Sequence, residues 1–206
     1  MAYRVFLKLL CHFGPQRWWP RLWRAGAHRD EIIVGAVLTQ GTRWRNVEGA
    51  LRELERAGLT SLEAIASADE ATLRRALGPV PYKSRKIRTL REANALLSDG
   101  HIPTREELLG IFGVGEETAD VILLYGYGIP VFVLDGYTRR WAERFFGTKV
   151  SDDELRRRLH VEDDLFYLRE MHALLDELGK RYCGRRPRCD VCPLSGECAR
   201  SLRSAE

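Results

Sequence analysis

Apolar positions recur every three to four residues along most of this chain, and no stretch alternates apolar with polar as a half-buried strand would. The periodicity, with local caps, predicts helices over 2–12, 31–40, 43–57, 69–77, 84–98, 104–109, 116–125, 136–146, 152–160 and 163–181. Three of the starts read as capping boxes: Ser67-Ala68-Asp69-Glu70, Thr104-Arg105-Glu106-Glu107 behind Pro103, and Ser151-Asp152-Asp153-Glu154. An all-α fold is expected. The longest apolar run, Val121 to Leu134, is broken by glycines and Pro130 and is too short for a bilayer. Arg4 and Lys8 interrupt the first turns, where a secretory leader needs an apolar core. The expectation is a cytoplasmic protein with no membrane partner.

Between the helices expected over 104–109 and 116–125 lies Gly110-Ile111-Phe112-Gly113-Val114-Gly115. Glycines permit a left-handed turn and a close backbone approach, and the amides that open the next helix can donate to an anion. The segment therefore suits a plain helix corner or a phosphate cradle, and a lone G-x-G does not choose between them. Glu116 and Glu117 sit in the first turn, where the helix dipole favours negative charge. Asp135 stands before the helix expected over 136–146. It suits an N-cap, and equally a carboxylate stabilising positive charge that develops on a sugar.

Four of the five cysteines fall within sixteen residues, as Cys183-x5-Cys189-x2-Cys192-x5-Cys198. Thiols this dense without a secretory leader point to a metal site rather than disulfides, and four thiolates suit zinc and an iron–sulfur cluster alike. Cys11 stands apart on the first helix and is expected to be a small buried hydrophobe. Net charge is only +4, yet 28 of the 33 basic residues are arginine, whose planar forks match phosphates. They gather at Arg43 and Arg45, from Lys83 to Arg91, at Arg139, Arg140 and Arg144, and from Arg181 to Arg188. Such charge would grip a duplex backbone or simply solvate helix faces. The 206 residues, 45% hydrophobic and without repeats, allow one large core or two small ones.

Together, the Gly113-Val114-Gly115 turn and the run Val121-Ile-Leu-Leu-Tyr125 through Leu134-Asp135-Gly136-Tyr137-Thr138 resemble a known core. It is the helix-hairpin-helix and Gly/Pro-Asp core of the endonuclease III superfamily of DNA glycosylases. Val37-Leu-Thr-Gln40-Gly-Thr looks like the family segment that supplies a DNA-inserting glutamine, and Tyr82-Lys-Ser-Arg-Lys86 like its second DNA-facing loop. With the cysteines, the resemblance covers most of residues 30–198. It implies a two-lobed, all-α helix-hairpin-helix fold: a six-helix barrel over 28–121, and a lobe of 1–27 plus 122–206 carrying a 4Fe-4S cluster on the 183–198 loop. The first gap of that loop is one residue shorter than the family's commonest. The active site is expected in the cleft between lobes, with Asp135 on one wall and Gln40 on the other.

The resemblance also implies roles and a partner, double-stranded DNA containing a damaged base, bound by a monomer in a bacterial-type, nucleoid-associated setting. Gly113, Gly115 and Thr118 would meet the backbone. Gln40 would fill the gap left by an extruded nucleotide, with Pro81 or Tyr82 intercalating on the other strand; a helix-end polar residue and a core-edge aromatic are the plainer alternatives. Bifunctional members carry a lysine at the second residue after the G-V-G turn, where this chain has Glu117. A carboxylate forms no Schiff base, so monofunctional base excision through Asp135 is expected, with AP-lyase activity weak or absent. Lys180 is the one noted source of an amine from elsewhere, a surface salt bridge being its plainer role. Trp18-Trp19-Pro20, with Glu117 as a base-reading or merely dipole-matched carboxylate, resembles the branch that excises N-methylated adenine. A cationic N-alkylated purine such as 3-methyladenine is the expected lesion; deaminated, mismatched or oxidised pyrimidines, or a silent damage-binding paralogue, are the alternatives. A buried anchor is the plainer role for the tryptophans.

Overall fold

The computed structural model describes residues 1–19, 21–98 and 100–203. In chain order its α-helices are α1 (Ala2–Phe13), α2 (His28–Thr39), α3 (Trp44–Arg56), α4 (Leu62–Ser67), α5 (Glu70–Ala76), α6 (Lys83–Leu97), α7 (Arg105–Gly110), α8 (Glu116–Val121), α9 (Gly136–Phe146), α10 (Asp152–Leu159), α11 (Leu165–Arg181) and α12 (Ala199–Arg203). No strand occurs among the described residues. The chain divides into two compact units, Trp19–Ile129 and Met1–Trp18 with Pro130–Glu206.

The Trp19–Ile129 unit is built around α2, whose Ile32, Ile33, Val34, Val37 and Leu38 are all buried. Two acidic residues at its start are buried as well and act as caps for neighbouring chain. Glu31 accepts from the amides of Leu22 at 2.7 Å and Trp23 at 3.1 Å, and Asp30 accepts from the Leu62 amide at 3.0 Å. Trp23, 1% exposed, donates from its indole to the Leu51 carbonyl. These contacts hold Leu22 and Trp23 in this unit, which begins at Trp19, whereas the sequence placed 1–27 with the carboxy-terminal half. At the other end α8 continues into a wider π-helical turn, Ile122–Tyr127, packed on α2, so the unit runs to Ile129 rather than closing at 121.

Two local expectations are corrected. The six-residue α4, too short to show a period, is capped by Ser61, which accepts from the Ala64 amide. The box expected at Ser67 does not form: Ser67 ends α4, and Asp69 caps α5 by accepting from the Thr72 amide. Thr104 forms its box with Glu107, and Ser151 caps α10 by accepting from the Glu154 amide.

In the other unit α11 is the buried spine, with Leu168, Met171, Leu174, Leu175 and Leu178 inside. Helix α1 lays Phe6 edge-on against Tyr167, ring centres 5.0 Å apart. Cys11 is on the exposed side of α1, not buried as expected. Helix α9 crosses α11 so closely that a Cβ on Gly179 would stand 2.3 Å from the Tyr137 ring, which restricts that position to glycine.

Candidate active site and nucleic-acid interface

In the Trp19–Ile129 unit four of the candidate DNA-facing residues, Gln40, Gly113, Gly115 and Thr118, come together at the α7–α8 hairpin. Gly113 takes φ 80°, a left-handed turn, and an added Cβ would meet the Thr89 hydroxyl at 2.8 Å. Gly115 is extended, at φ −100°, and precedes α8 as its cap without a side-chain acceptor. The turn is held from behind: the Phe112 amide donates to Glu92 at 2.8 Å and Thr89 Oγ1 donates to the Phe112 carbonyl at 2.7 Å.

Gln40, the residue that caps the end of α2, is tied to this hairpin. Its Nε2 donates to the Gly113 carbonyl and to Thr118 Oγ1, both at 3.0 Å. Its own carbonyl, with that of Leu38, accepts from the buried Lys86 ammonium at 2.7 Å. Burial pulls the Lys86 amine down to about 8. Tyr82 caps α6 from a left-handed conformation, φ 56°, unusual for a residue with a side chain, and 68% of it is exposed. Pro81 beside it is half-buried. Glu117 lies exposed in the first turn of α8.

The basic clusters separate into two kinds. Arg43, Arg45, Arg85, Arg185 and Arg186 are exposed. Lys86 is internal, Arg88 pairs with Glu92 at 2.8 Å, Arg139 with Asp152 at 2.7 Å, and Arg140 and Arg144 donate to the Cys183 carbonyl, each at 2.9 Å. Charge already paired within the chain in this way, exposed Arg88 included, cannot be distinguished by sequence from charge left for a ligand.

The other unit holds Asp135. The carboxylate is 6% exposed and caps α9, Oδ1 accepting from the Thr138 amide at 2.6 Å. The extended approach to it is pinned by arginines that donate to the carbonyls of Phe132 and Leu134 at 2.8 and 3.0 Å, from Arg156 and Arg139. The Thr138 hydroxyl is buried without a hydrogen-bond partner among the described residues. Asp135 acts electrostatically on two buried groups of α11. Burial holds the His172 imidazole below its usual range, with Asp135 raising it and Lys180 lowering it. Burial pushes Asp176 up to about 6, against the nearby Lys180 ammonium with which it pairs. Nothing in the sequence marks His172 or Asp176 beyond their recurrence with Lys180 every four residues on a mostly apolar helix.

The two tryptophans fall in different units. Trp18 meets the His172 ring edge-on at 5.0 Å and carries Lys180 Nζ 5.4 Å from its centroid. Trp19, at φ 61°, packs against Trp44 at 5.4 Å and Tyr125 at 5.3 Å, close enough to Gly35 that a Cβ there would be 2.9 Å from its indole nitrogen. Pro20 lies outside the described residues.

Cys183, Cys189, Cys192 and Cys198 all line one recess, with Trp141, Arg144, Tyr182 and Leu194. Arg144 Nη1 stands 3.3 Å from Cys183 Sγ. Burial and the three neighbouring thiols push the Cys192 thiol up. Among the described residues no three or more His, Cys, Asp or Glu side chains converge as a single metal ion would require. No described helix is long and apolar enough to cross a membrane.

Residues 34–162 match the family described as HhH-GPD superfamily base excision DNA repair protein. The "Putative DNA repair glycosylase MJ1434" of Methanocaldococcus jannaschii is 34% identical over 96% of this chain and 96% of its own length. An endonuclease III–DNA covalent intermediate superposes with a TM-score of 0.78 at 18% identity, over 100% of this chain and 99% of that one. The 3-methyladenine DNA glycosylase MagIII of H. pylori, bound to 1,N6-ethenoadenine, gives 0.71 at 26% identity, over 87% and 97%.

Proposed function

The chain belongs to the HhH-GPD superfamily of base excision DNA repair proteins, and we propose that it is a monofunctional DNA glycosylase that extrudes and hydrolytically excises an N-alkylated purine. Two observations carry this: Asp135 is buried and oriented, and a glutamate, Glu117, stands at the sequence position where a lyase would place its amine. One Asp135 oxygen is committed to the α9 amide, and the other serves the sugar. There it would offset the positive charge that develops as the glycosidic bond lengthens, and align or deprotonate the attacking water. The base leaves with the bonding electrons, and water supplies the new bond at the anomeric carbon. No residue in this scheme forms a covalent link to the sugar, so the strand survives as an abasic site.

Backbone binding falls to the Gly113–Gly115 turn with Thr118, and the gap left by the base to Gln40, whose amide is already oriented toward the hairpin. Tyr82, exposed and held in a strained left-handed conformation, suits insertion into the opposite strand beside Pro81. Trp18, Trp19 and Glu117 are each assigned to contact the extruded base. An aromatic face favours a cationic alkylated purine, whose glycosidic bond is already weakened. The likeness to a 3-methyladenine glycosylase holding a modified adenine supports a purine lesion.

We assign a 4Fe-4S cluster to the cysteine loop: all four cysteines line one recess, and Arg140 and Arg144 supply positive charge beside it. Cys183, Cys189, Cys192 and Cys198 would hold the cluster, which would brace the loop. Release of base from duplexes that each carry one lesion, read with and without alkali, tests the assignment.

A further inference from the structure

The segment after α1 has no regular structure up to Trp18, yet a single buried side chain captures two of its consecutive amides. Glu170 on α11 is 5% exposed; its Oε2 accepts from Gln16 N at 2.6 Å and its Oε1 from Arg17 N at 2.8 Å. Successive N–H groups converging on an anion form a nest, and bonds to a carboxylate are stronger than neutral ones. Arg17 is held at φ 49°, a conformation that disfavours any residue with a Cβ, so the turn needs an external hold. The next residue is Trp18, whose ring meets His172 and Lys180. Glu170, His172 and Lys180 all belong to α11, so one helix holds both the backbone just before Trp18 and the Trp18 ring.

We propose that Glu170 is a positioning residue for lesion recognition, locking the Gln16–Arg17 turn so that Trp18 presents a fixed aromatic face to the extruded base. This rests on the assignment of Trp18 to the base pocket. Glutamine at 170 keeps one acceptor but sets an N–H donor against an amide N–H, so half the nest is lost. Aspartate keeps both oxygens one methylene further back. A turn that visits other conformations weakens binding by the fraction of time it is competent, while the step after binding is largely spared.

The test combines amide hydrogen exchange with single-turnover excision of a 3-methyladenine duplex by the full chain, comparing wild type, Glu170→Gln, Glu170→Asp and Trp18→Ala. For Glu170→Gln we expect faster exchange at Gln16 and Arg17, and a half-saturating concentration raised about tenfold with the saturating rate changed less than about threefold. Glu170→Asp should fall between, and should carry the comparison if Glu170→Gln fails to fold. Unchanged exchange, or faster exchange with an unmoved half-saturation, would overturn the proposal. If wild type excises no lesion, the glycosylase assignment fails by itself, and equilibrium binding decides this one. Loss confined to the damaged duplex sustains Glu170 as a positioning residue, whereas equal loss on damaged and undamaged duplexes, or no preference in wild type, refutes it.

Discussion

The Asp135 carboxylate accepts from the Thr138 amide at 2.6 Å, so the residue proposed to act on the sugar is also the cap of α9. Asparagine retains an oxygen for the cap. Asp135→Asn should therefore stay within about 1 kcal/mol of wild-type stability, while base release falls about 10²–10⁴-fold. Asp135→Ala should lose the cap as well, about 1 kcal/mol. Urea melts beside single-turnover excision check both, and an asparagine variant with full excision would remove Asp135 from the chemistry.

Lys86 supports Gln40 from beneath, donating to the Leu38 and Gln40 carbonyls. Lys86→Met keeps the apolar stem but leaves two carbonyls short of a donor, an expected loss of about 1–3 kcal/mol. Its native pKa, about 8, lies below the unfolded 10.5. The Lys86 contribution is thus fully present above pH 10.5 and is lost as pH falls through 8. The gap between wild type and variant should widen from pH 8 to 10 in urea melts.

Asp176 has the opposite sign. Its pKa rises from 3.8 to about 6 on folding, so the native state holds the extra proton between those values. Stability from this group grows as pH falls through 6 and is complete below 3.8; at neutral pH its buried charge is a penalty. Asp176→Asn should be more stable at pH 7.5 by about 1–3 kcal/mol, once the lost Lys180 pair is set against the relief, with the gap closing by pH 4. Equal stability at both pH values would contradict this.

Glu117→Lys restores an amine to the first turn of α8. If Glu117 is what withholds lyase chemistry, the variant should give a borohydride-trapped DNA adduct on an abasic duplex where wild type gives none. A wild-type adduct would point to another lysine, Lys180 first.

Much of the helical layout was legible because cap residues and apolar periods act locally: the Thr104 box, the hairpin glycines and the Asp135 cap all appear where the sequence puts them. What was not legible depends on distant contacts. Nothing local shows that Glu31 would gather Leu22 and Trp23 into the α2 unit, or that α8 would relax into a π-helical turn. The cluster of Asp135, His172 and Asp176 joins positions about forty residues apart, and the Glu170 nest joins positions 153 and 154 apart. Neither leaves a motif.

The most direct test is base release from duplexes that each carry 3-methyladenine, uracil, a mismatch or an oxidised base, with wild type and Asp135→Asn side by side. The account predicts release from the alkylated purine, strand breaks only after alkali, and loss of both in Asp135→Asn. Breaks without alkali, or no release from any duplex, would contradict it.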